Sequence, residues 1–429
     1  MDFLPLMPPS SLPPVAERFL RYVQIDTQSD PASRTVPSTE KQKDLSRLLV
    51  EELRALDYKD AVMDDYGYVF ATVPGTLPQE ELADTPVVGL LAHVDTSPDA
   101  PGTNVKPIIH HNYDGSVLRL PGNPDVTLDP ARQPILLNHI GEDIISSDGT
   151  TLLGSDDKAG VAVLMQWADD MRYDTAPRPT VRLCFTIDEE IGRGVDHLDL
   201  DVLGCDIAYT LDGSDIDTLF YETFNAAGAT LTVEGIMVHP GYAKGLMVNA
   251  VRILAQMLAA LPPDEAPETT ENREGYIHPH TLTASDATKA EAYLILRDFS
   301  TDGLERRKAY LRHLVQLFQT RYPKAAITLD IEDQYKNMRS YIEAIDVRAI
   351  MVAQEAAEQM GLTLTSPVIR GGTDGARLSE LGIPTPNVFN GGHDYHSLFE
   401  WNTVQNLERS LAFTTSLLRA WSQHRKKRV

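Results

Sequence analysis

The first half of the chain alternates apolar residues at helical spacing with short, continuously apolar runs. Residues 15–25 and 38–56 have apolar positions three and four apart, which predicts two amphipathic helices. Strand-like runs follow at 67–73 and 86–93, and the second is apolar throughout, as expected of a central strand covered on both faces. The segment from 97 to 150 is rich in Pro, Gly, Asn and Asp, which predicts loops and short strands.

The same alternation continues further along the chain. A helical run precedes the apolar run 180–187, and another apolar run ends on Asp212. Strands that alternate with helices predict an α/β sheet. Ligands of such sheets gather beyond the carboxyl ends of the strands. His93, the pair Glu189 and Glu190, and Asp212 each follow an apolar run, so we expect them along one edge of the sheet.

The pattern changes beyond residue 223. The elements there come in the order strand, helix, strand, strand, helix, strand. Their predicted positions are 229–234, 247–260, two strands on either side of Asp286, 302–321 and 324–332. This order predicts a ferredoxin-like unit, and about 110 residues is a suitable size for an inserted domain. Helical runs at 343–360 and 402–422 then resume the α/β pattern.

The charge balance is acidic, with 38 basic against 62 acidic residues and a formal net charge of -24. Such a surface repels phosphates, so nucleic acid is excluded as a partner.

A chain of 429 residues exceeds the usual limit of one core, so we expect two domains. The opening stretch lacks the pattern of a signal peptide and no apolar run could span a membrane, so we expect a cytoplasmic protein. The two cysteines are expected to be buried free thiols.

The stretch from Leu152 to Gly160 places two adjacent acids, Asp156 and Asp157, ahead of a helical run near 158–172. Acids at this place suit the positive end of a helix dipole, so helix capping is one explanation. The other is that Asp156 is the shared ligand of two metal ions. The ligand types found elsewhere in the chain favour this second explanation.

Five residues are candidate metal ligands, because zinc and similar ions bind His nitrogen and carboxylate oxygen. They are His93, Asp156, Glu190, Asp212 and His396. Each also has an ordinary structural explanation, since single histidines often serve polar contacts and acids are common in turns. Three carboxylates carry three negative charges, which two divalent ions and one bridging hydroxide balance. A single ion would leave excess negative charge in a cleft, so the count favours two metals.

Asp95 and the pair Glu189–Glu190 extend the predicted site. On an extended segment, residues i and i+2 point to the same side, so Asp95 can accept a hydrogen bond from the far nitrogen of His93. Adjacent glutamates cannot both face one way on a regular strand. We therefore expect one to bind metal and the other to act as general base towards the nucleophilic water. The spacing leaves both assignments open.

Together these residues resemble the M20 family of metallopeptidases, and within it the aminotripeptidase branch. The resemblance covers nearly the whole chain. It is carried by LLAHVDTSPD (90–99), DGTTLLGSDDKAG (148–160), FTIDEEIGRG (185–194), YTLDG (209–213), VHPGYAKGLMVNA (238–250), ENREGYIHPH (271–280), LRDF (296–299) and VIRGGTDGARLSELGIPTPNVFNGG (368–392). It implies a zinc-peptidase-like α/β domain, a mixed sheet with helices on both faces, formed by residues 1–223 and 334–429. A ferredoxin-like α+β lid domain is inserted at 224–333.

The resemblance also implies two divalent ions that share one carboxylate, and zinc is the metal that it favours. One ion is bound by His93, Asp156 and Asp212, and the other by Asp156, Glu190 and His396. Glu189 then matches the general base of the family, and Asp95 its acid behind the histidine. The family places an acid four residues after its C-terminal ligand histidine. Glu400 follows His396 at that spacing, so we prefer His396 to His393, where GGHD departs from the usual GGYN.

Three further residues are candidates for binding substrate. Arg370 stands in a glycine-rich turn, where it either pairs with an acid or forms a fork for the free carboxylate of a short peptide. The resemblance favours the fork. His239 matches the lid histidine that helps polarise the scissile carbonyl. In many relatives that histidine, or a nearby Asn such as Asn249, crosses a dimer interface, so a homodimer is a further expectation.

The implied activity is release of the N-terminal residue from tripeptides by attack of a metal-bridging hydroxide, with Glu189 moving the proton. The nearest alternative is another M20-type amidohydrolase, a carboxypeptidase or an N-acyl amino-acid hydrolase. A non-catalytic, metal-stabilised binding protein is an alternative from a different class, but it has no need of a proton-transferring Glu189. The ligand types also suit manganese or cobalt.

Overall fold

The structure is a computed structural model that describes residues 12–284 and 286–427. Its contacts divide the chain into two compact units. The first contains the chain up to Tyr221, Tyr341–Ser366 and the chain from Thr373 onwards, and the second contains Glu222–Ser340 and Pro367–Gly372. The catalytic and lid roles of the two domains predicted from the sequence stay predictions.

The helices, in chain order, are α1 (Pro14–Tyr22), α2 (Gln42–Ala55), α3 (Gln79–Asp84), α4 (Ser155–Met171), α5 (Leu200–Leu203), α6 (Ala250–Leu258), α7 (Thr301–Arg321), α8 (Met338–Asp346), α9 (Arg348–Gln359), α10 (Asp374–Glu380) and α11 (Val404–Trp421). The strands are β1 (Val62–Met63), β2 (Val69–Val73), β3 (Val88–His93), β4 (Ile108–His110), β5 (Leu118–Arg119), β6 (Thr127–Leu128), β7 (Ile144–Ser146), β8 (Val181–Thr186), β9 (Ile207–Gly213), β10 (Leu219–Phe220), β11 (Asn225–Glu234), β12 (Tyr276–Ala284), β13 (Lys289–Asp298), β14 (Ala326–Tyr335), β15 (Asn387–Phe389) and β16 (Trp401–Thr403).

The first unit is organised by a seven-stranded mixed sheet of order β1-β2-β8-β3-β9-β15-β10. Strands β8, β3, β9 and β15 run parallel to one another, and the pairs β1–β2, β2–β8 and β10–β15 are antiparallel. Every residue of β3 is buried, as its uninterrupted apolar run predicts. Helix α4 packs against β3 and β9, and is covered in turn by α1 and α11. The carboxyl ends of β3, β8 and β9 therefore lie side by side at one edge.

The second unit has a four-stranded antiparallel sheet of order β12-β13-β11-β14, with the elements in the chain order strand, helix, strand, strand, helix, strand. Alternate residues of β13 are buried, which is the pattern of a sheet with one covered face. Helices α6 and α7 pack on the sheet. The predicted ferredoxin-like unit and the mixed α/β fold class are confirmed.

Some local predictions were wrong. The helix predicted at 343–360 is two helices, α8 and α9, with a break at Val347. Both cysteines are free, but Cys205 is only partly buried, whereas Cys184 is fully buried.

None of the described helices is long and apolar enough to cross a membrane. The expectation of no signal peptide concerns a stretch whose residues 1–11 lie outside the described residues.

Candidate metal centre

The candidate ligands on the sheet lie at the carboxyl ends of neighbouring strands. His93 is the last residue of β3, and Asp212 is the last but one of β9. Glu189 and Glu190 begin a short 3-10 turn that starts three residues after the last residue of β8. Because β3 pairs in parallel with both β8 and β9, these side chains meet at one edge. The predicted placement at the edge of the sheet agrees with the structure.

Asp156 joins this edge from the start of α4. Gly154 takes a φ of +85°, which turns the chain into the helix, and Asp156 itself is not helical (φ −83°, ψ 107°). Its carboxylate contacts the Nε2 atoms of His93 (2.9 Å) and His396 (3.2 Å) and makes no capping bond. Asp157 is the residue that accepts a bond from the helix, from Gly160 N–H. The capping explanation thus fits Asp157, and the two acids have different roles.

The five predicted ligands converge within a few ångströms. His93 Nε2 lies 3.9 Å from Asp212 Oδ1, and His396 Nε2 lies 2.8 Å from Glu190 Oε2. Two groups of three residues bring their ligand atoms within 4.8 Å of one another, and they share His93. The groups are His93, Asp156 and Glu190, and His93, Glu189 and Asp212. They differ from the sets implied by the resemblance, because Glu189 stands in one of them and His396 in neither.

The residues present fit divalent ions. Three carboxylates and two imidazoles are the donor types that zinc and similar ions bind. Glu190 Oε1 is buried without a hydrogen-bond partner among the described residues. A buried carboxylate oxygen without a partner is costly, so a cation at this position would remove the cost. The donor set and this oxygen together indicate a metal site.

The protonation equilibria show how strongly the acids and imidazoles interact. Burial opposes the shift, but hydrogen bonds from His396 and His93 hold the pKa of Asp156 well below its usual range. Contacts with Asp156 and Glu190 raise the pKa of His396 to about 11. Burial raises the pKa of Glu190 to about 8 and that of Asp212 well above its usual range. Without metal cations, Glu190 and Asp212 therefore favour their protonated forms, whereas Asp156 stays ionised.

Asp95 supports the centre more extensively than its spacing predicted. Its carboxylate oxygen Oδ1 lies 3.4 Å from His93 Nδ1, and the same ring nitrogen lies 3.0 Å from its backbone oxygen. The carboxylate also accepts hydrogen bonds from the backbone N–H groups of Glu189 (3.1 Å) and Glu190 (3.2 Å). One buried acid thus orients both a histidine on β3 and the turn after β8.

Asp188 is a supporting residue that the sequence analysis missed. It has a φ of +54° and directs the turn that carries the two glutamates. Its carboxylate accepts hydrogen bonds from the backbone and hydroxyl of Ser38 and from the amide of Gln42, and its own N–H donates to Gln42. Only the acid-rich turn could have drawn attention to it, because the partners stand some 150 positions away.

Two more acids support the part of the metal centre to which His396 belongs. Glu400 accepts hydrogen bonds from the backbone N–H groups of Leu153, Gly154 and Asp156, at 2.8–3.0 Å. Asp99 Oδ2 lies 3.4 Å from His396 Nδ1, the ring nitrogen that points away from Asp156. The sequence analysis used Glu400 only to choose His396 over His393, and it did not identify Asp99 as a supporting residue. A carboxylate that faces the second nitrogen of a ligand histidine is a common way to orient it.

His393 does not reach the centre. Its ring stacks on that of Trp401, with centroids 4.1 Å apart and planes 20° apart, and its Nδ1 lies 3.2 Å from Asp215 Oδ1. His396, three residues later, is the histidine that contacts Asp156.

The three predicted substrate-binding residues lie in the second unit. Arg370 stacks over Phe224 and Tyr276, and its guanidinium donates to the backbone oxygens of Asn272 and Glu274 and to Thr270. His239 is exposed, and its Nδ1 accepts a bond from Gly241 N–H. The side chain of Asn249 caps α6. Their roles towards substrate stay predictions.

Comparisons with known proteins agree with this architecture. Residues 221–326 match the family model of a peptidase dimerisation domain. Over 409 residues, the chain is 43% identical to Peptidase T of Bacillus cereus strain G9842, covering 95% of this chain and 98% of the relative. The crystal structure of a tripeptidase from Staphylococcus aureus has a TM-score of 0.71 at 21% identity, covering 96% of this chain and 98% of that one. The Bacillus subtilis protein YXEP, a dinuclear metal binding peptidase from the M20 family, has a TM-score of 0.64 at 14% identity, over 94% and 96% of the two chains. Both structures share the fold described above.

Proposed function

Since this chain belongs to the peptidase T branch of the M20 peptidases, we propose that it is an aminopeptidase that releases the N-terminal residue from tripeptides. The observation that carries the proposal is the convergence of two imidazoles and three carboxylates, Asp156 among them, with a further glutamate, Glu189, beside them. The relative named Peptidase T and the structural neighbour named a tripeptidase support the choice of substrate.

We infer that the centre holds two divalent ions, and zinc is the ion to test first. His93, Asp156 and Asp212 would hold one, and Asp156, Glu190 and His396 the other. The neighbour described as a dinuclear metal binding peptidase supports the number of ions, and the charge balance is in keeping with it. When bound, the ions supply Lewis-acid activation of the water and of the scissile carbonyl.

Glu189 would move the proton. It would take a proton from the attacking water on a side-chain oxygen and pass it to the leaving amine. Burial raises the pKa of Glu189 well above its usual range, which makes its carboxylate a stronger base than an exposed one. The hydrogen bond from its N–H to Asp95 fixes the turn from which the side chain projects.

The second unit would supply the selectivity for short peptides. Arg370 would bind the free carboxylate of the peptide. It would use the guanidinium N–H groups that do not already donate to Asn272, Glu274 and Thr270. His239 would polarise the scissile carbonyl, and Asn249 would assist substrate binding. The match to a dimerisation domain supports a homodimer as the working assembly.

The test is a panel of substrates assayed before and after metal removal. The proposal predicts hydrolysis of a tripeptide that is lost on chelation and restored by zinc. The matching dipeptide, tetrapeptide and N-acetyl tripeptide should react much more slowly. A carboxypeptidase or an N-acyl amino-acid hydrolase of the same family would accept the N-acetyl peptide at least as well. Activity that is indifferent to chelation would contradict the metal centre itself.

A further inference from the structure

The loop that carries His396 is closed at its base. His393 N–H donates to the backbone oxygen of Trp401 at 2.9 Å, and Trp401 N–H donates back to His393 at 3.1 Å. These two residues form an isolated antiparallel bridge, so the residues between them make a loop with fixed ends. His396 lies inside this loop and has a φ of +59°. The direction in which the His396 ring points therefore depends on how firmly the base of this loop is held.

The side chains reinforce the same base. The rings of His393 and Trp401 stack, with centroids 4.1 Å apart, and the His139 ring meets both of them edge-on, at 5.5 Å and 5.2 Å. Trp401 Nε1 donates to Asp394 Oδ2, which also accepts a bond from Gln133. Trp401 is fully buried, and only 8% of His393 is exposed. Backbone pairing, stacking and a side-chain bond thus act at one point.

The ring of His393 acts by its shape. Burial lowers its pKa to about 3, so the ring is neutral near pH 7. Its Nε2 is buried without a hydrogen-bond partner among the described residues, which is unfavourable for a polar atom. A flat apolar ring would keep the stacking on Trp401 and remove this unpaired nitrogen, and it would lose only the 3.2 Å contact of Nδ1 with Asp215, whose side chain is 43% exposed.

We propose that His393 and Trp401, here called the clasp, are positioning residues that hold the loop so that His396 presents Nε2 towards Glu190 and Asp156 before a metal arrives. A ligand already in place loses little conformational freedom on binding, so the clasp would raise the affinity of the ion on the His396 side. This role rests on the metal centre of the proposed function.

The first experiment compares zinc affinities. Wild-type protein, His393→Ala and His393→Phe are loaded with zinc and titrated with a competing chelator. His393→Ala should release one of its two ions at a roughly 10–100-fold lower chelator concentration, the usual cost of losing support behind a ligand. The other ion should stay as tightly bound as in the wild type. His393→Phe should stay close to wild-type behaviour, because it keeps the flat ring on Trp401 and loses only the contact with the partly exposed Asp215.

The control is His197→Ala. His197 also stacks on an aromatic ring, that of Tyr66, with centroids 4.6 Å apart, but it is exposed and takes no part in the centre. Both ions should be retained in this variant. If His393→Ala holds both ions as tightly as the wild type, the clasp is overturned and the metal centre stands. A wild type that takes up no zinc overturns the metal centre as well.

The second experiment needs no variant, so it is decisive even if His393→Ala does not fold. Hydrogen exchange is measured on the metal-free wild type and again after zinc is added. The clasp predicts that the amides of His393 and Trp401 are already protected before zinc is present. Fast exchange at both amides that becomes slow only with zinc would show that metal orders the loop, and would overturn the proposal.

Discussion

The two imidazoles of the candidate centre come from different kinds of backbone. His93 ends a strand that is paired on both sides and is 2% exposed. His396 sits in a loop with a positive φ, and 38% of its side chain is exposed. Both rings nevertheless contact the same Asp156. The sheet fixes His93 through its hydrogen-bond ladder, whereas His396 in its loop is held in place by the clasp, Glu400 and Asp99.

This difference suggests an order of metal release. The ion on the His93 side would be held from strands β3 and β9, and the ion on the His396 side would be held partly from a loop. Local opening is easier for a loop than for a buried strand. We therefore expect the ion on the His396 side to leave first when chelator is added.

The largest effect is expected where the two sides meet. Asp156→Ala removes the carboxylate that both rings contact, so the protein should lose both ions and fall at least about 10³-fold in kcat/KM. A bound metal is worth several kcal/mol in such reactions, and each 1.36 kcal/mol is tenfold. Metal content after dialysis and tripeptide hydrolysis measure this. Retention of two ions would show that Asp156 is not shared.

Glu189→Gln should separate proton transfer from metal binding. We expect kcat to fall by about 10²–10⁴-fold, the usual contribution of a general acid–base group, while both ions remain. Glu190→Gln is the matched variant one residue away, and it should lose the ion on the His396 side. If Glu189→Gln loses metal and Glu190→Gln keeps it, the two glutamates have the opposite roles.

The acids behind the two histidines should differ in importance. Asp95 is fully buried and holds His93 together with the glutamate turn, so Asp95→Asn should weaken zinc binding by about 10–100-fold. Asp99 lies at the same 3.4 Å from its histidine as Asp95 does, but its side chain is 70% exposed, so Asp99→Asn should cost less than about fivefold. Chelator titration of both variants tests this, and equal losses would contradict the comparison.

The affinity for metal should also depend on pH. In the metal-free protein Asp156 and Glu190 raise the pKa of His396 to about 11, so its ring carries a proton at pH 7. A metal ion must displace that proton, and zinc affinity should rise about tenfold per pH unit between pH 6 and 8 for each proton released. Calorimetry in buffers of different ionisation enthalpy counts the protons. A heat that is the same in all buffers would contradict proton release.

The sheet side of the centre was predictable from sequence because its geometry is regular. An apolar run that ends on His93, and another that ends on Asp212, imply one edge once the strands are parallel. The order of elements beyond residue 223 likewise specified the ferredoxin-like unit, since each element had clear periodicity. The break between α8 and α9 was missed, because the apolar spacing continues across Val347.

The supports of the loop side could not be predicted in the same way. The three backbone bonds to Glu400 join positions more than 240 residues apart, and nothing in either stretch specifies the partner. The stacking of His393 on Trp401 depends on a bridge that no hydrophobic period indicates. Contacts made by irregular backbone follow from the packed structure, so motifs could name His396 but could not reveal what holds it.

The central claim is that one carboxylate, Asp156, joins two metal ions. Crystals of the zinc-loaded protein, measured at the zinc absorption edge, test it directly. The account predicts two anomalous peaks about 3.5–4 Å apart, with His93 and Asp212 around one, Glu190 and His396 around the other, and Asp156 bound to both. A single peak, or two peaks of which one lies away from Asp156, would contradict it.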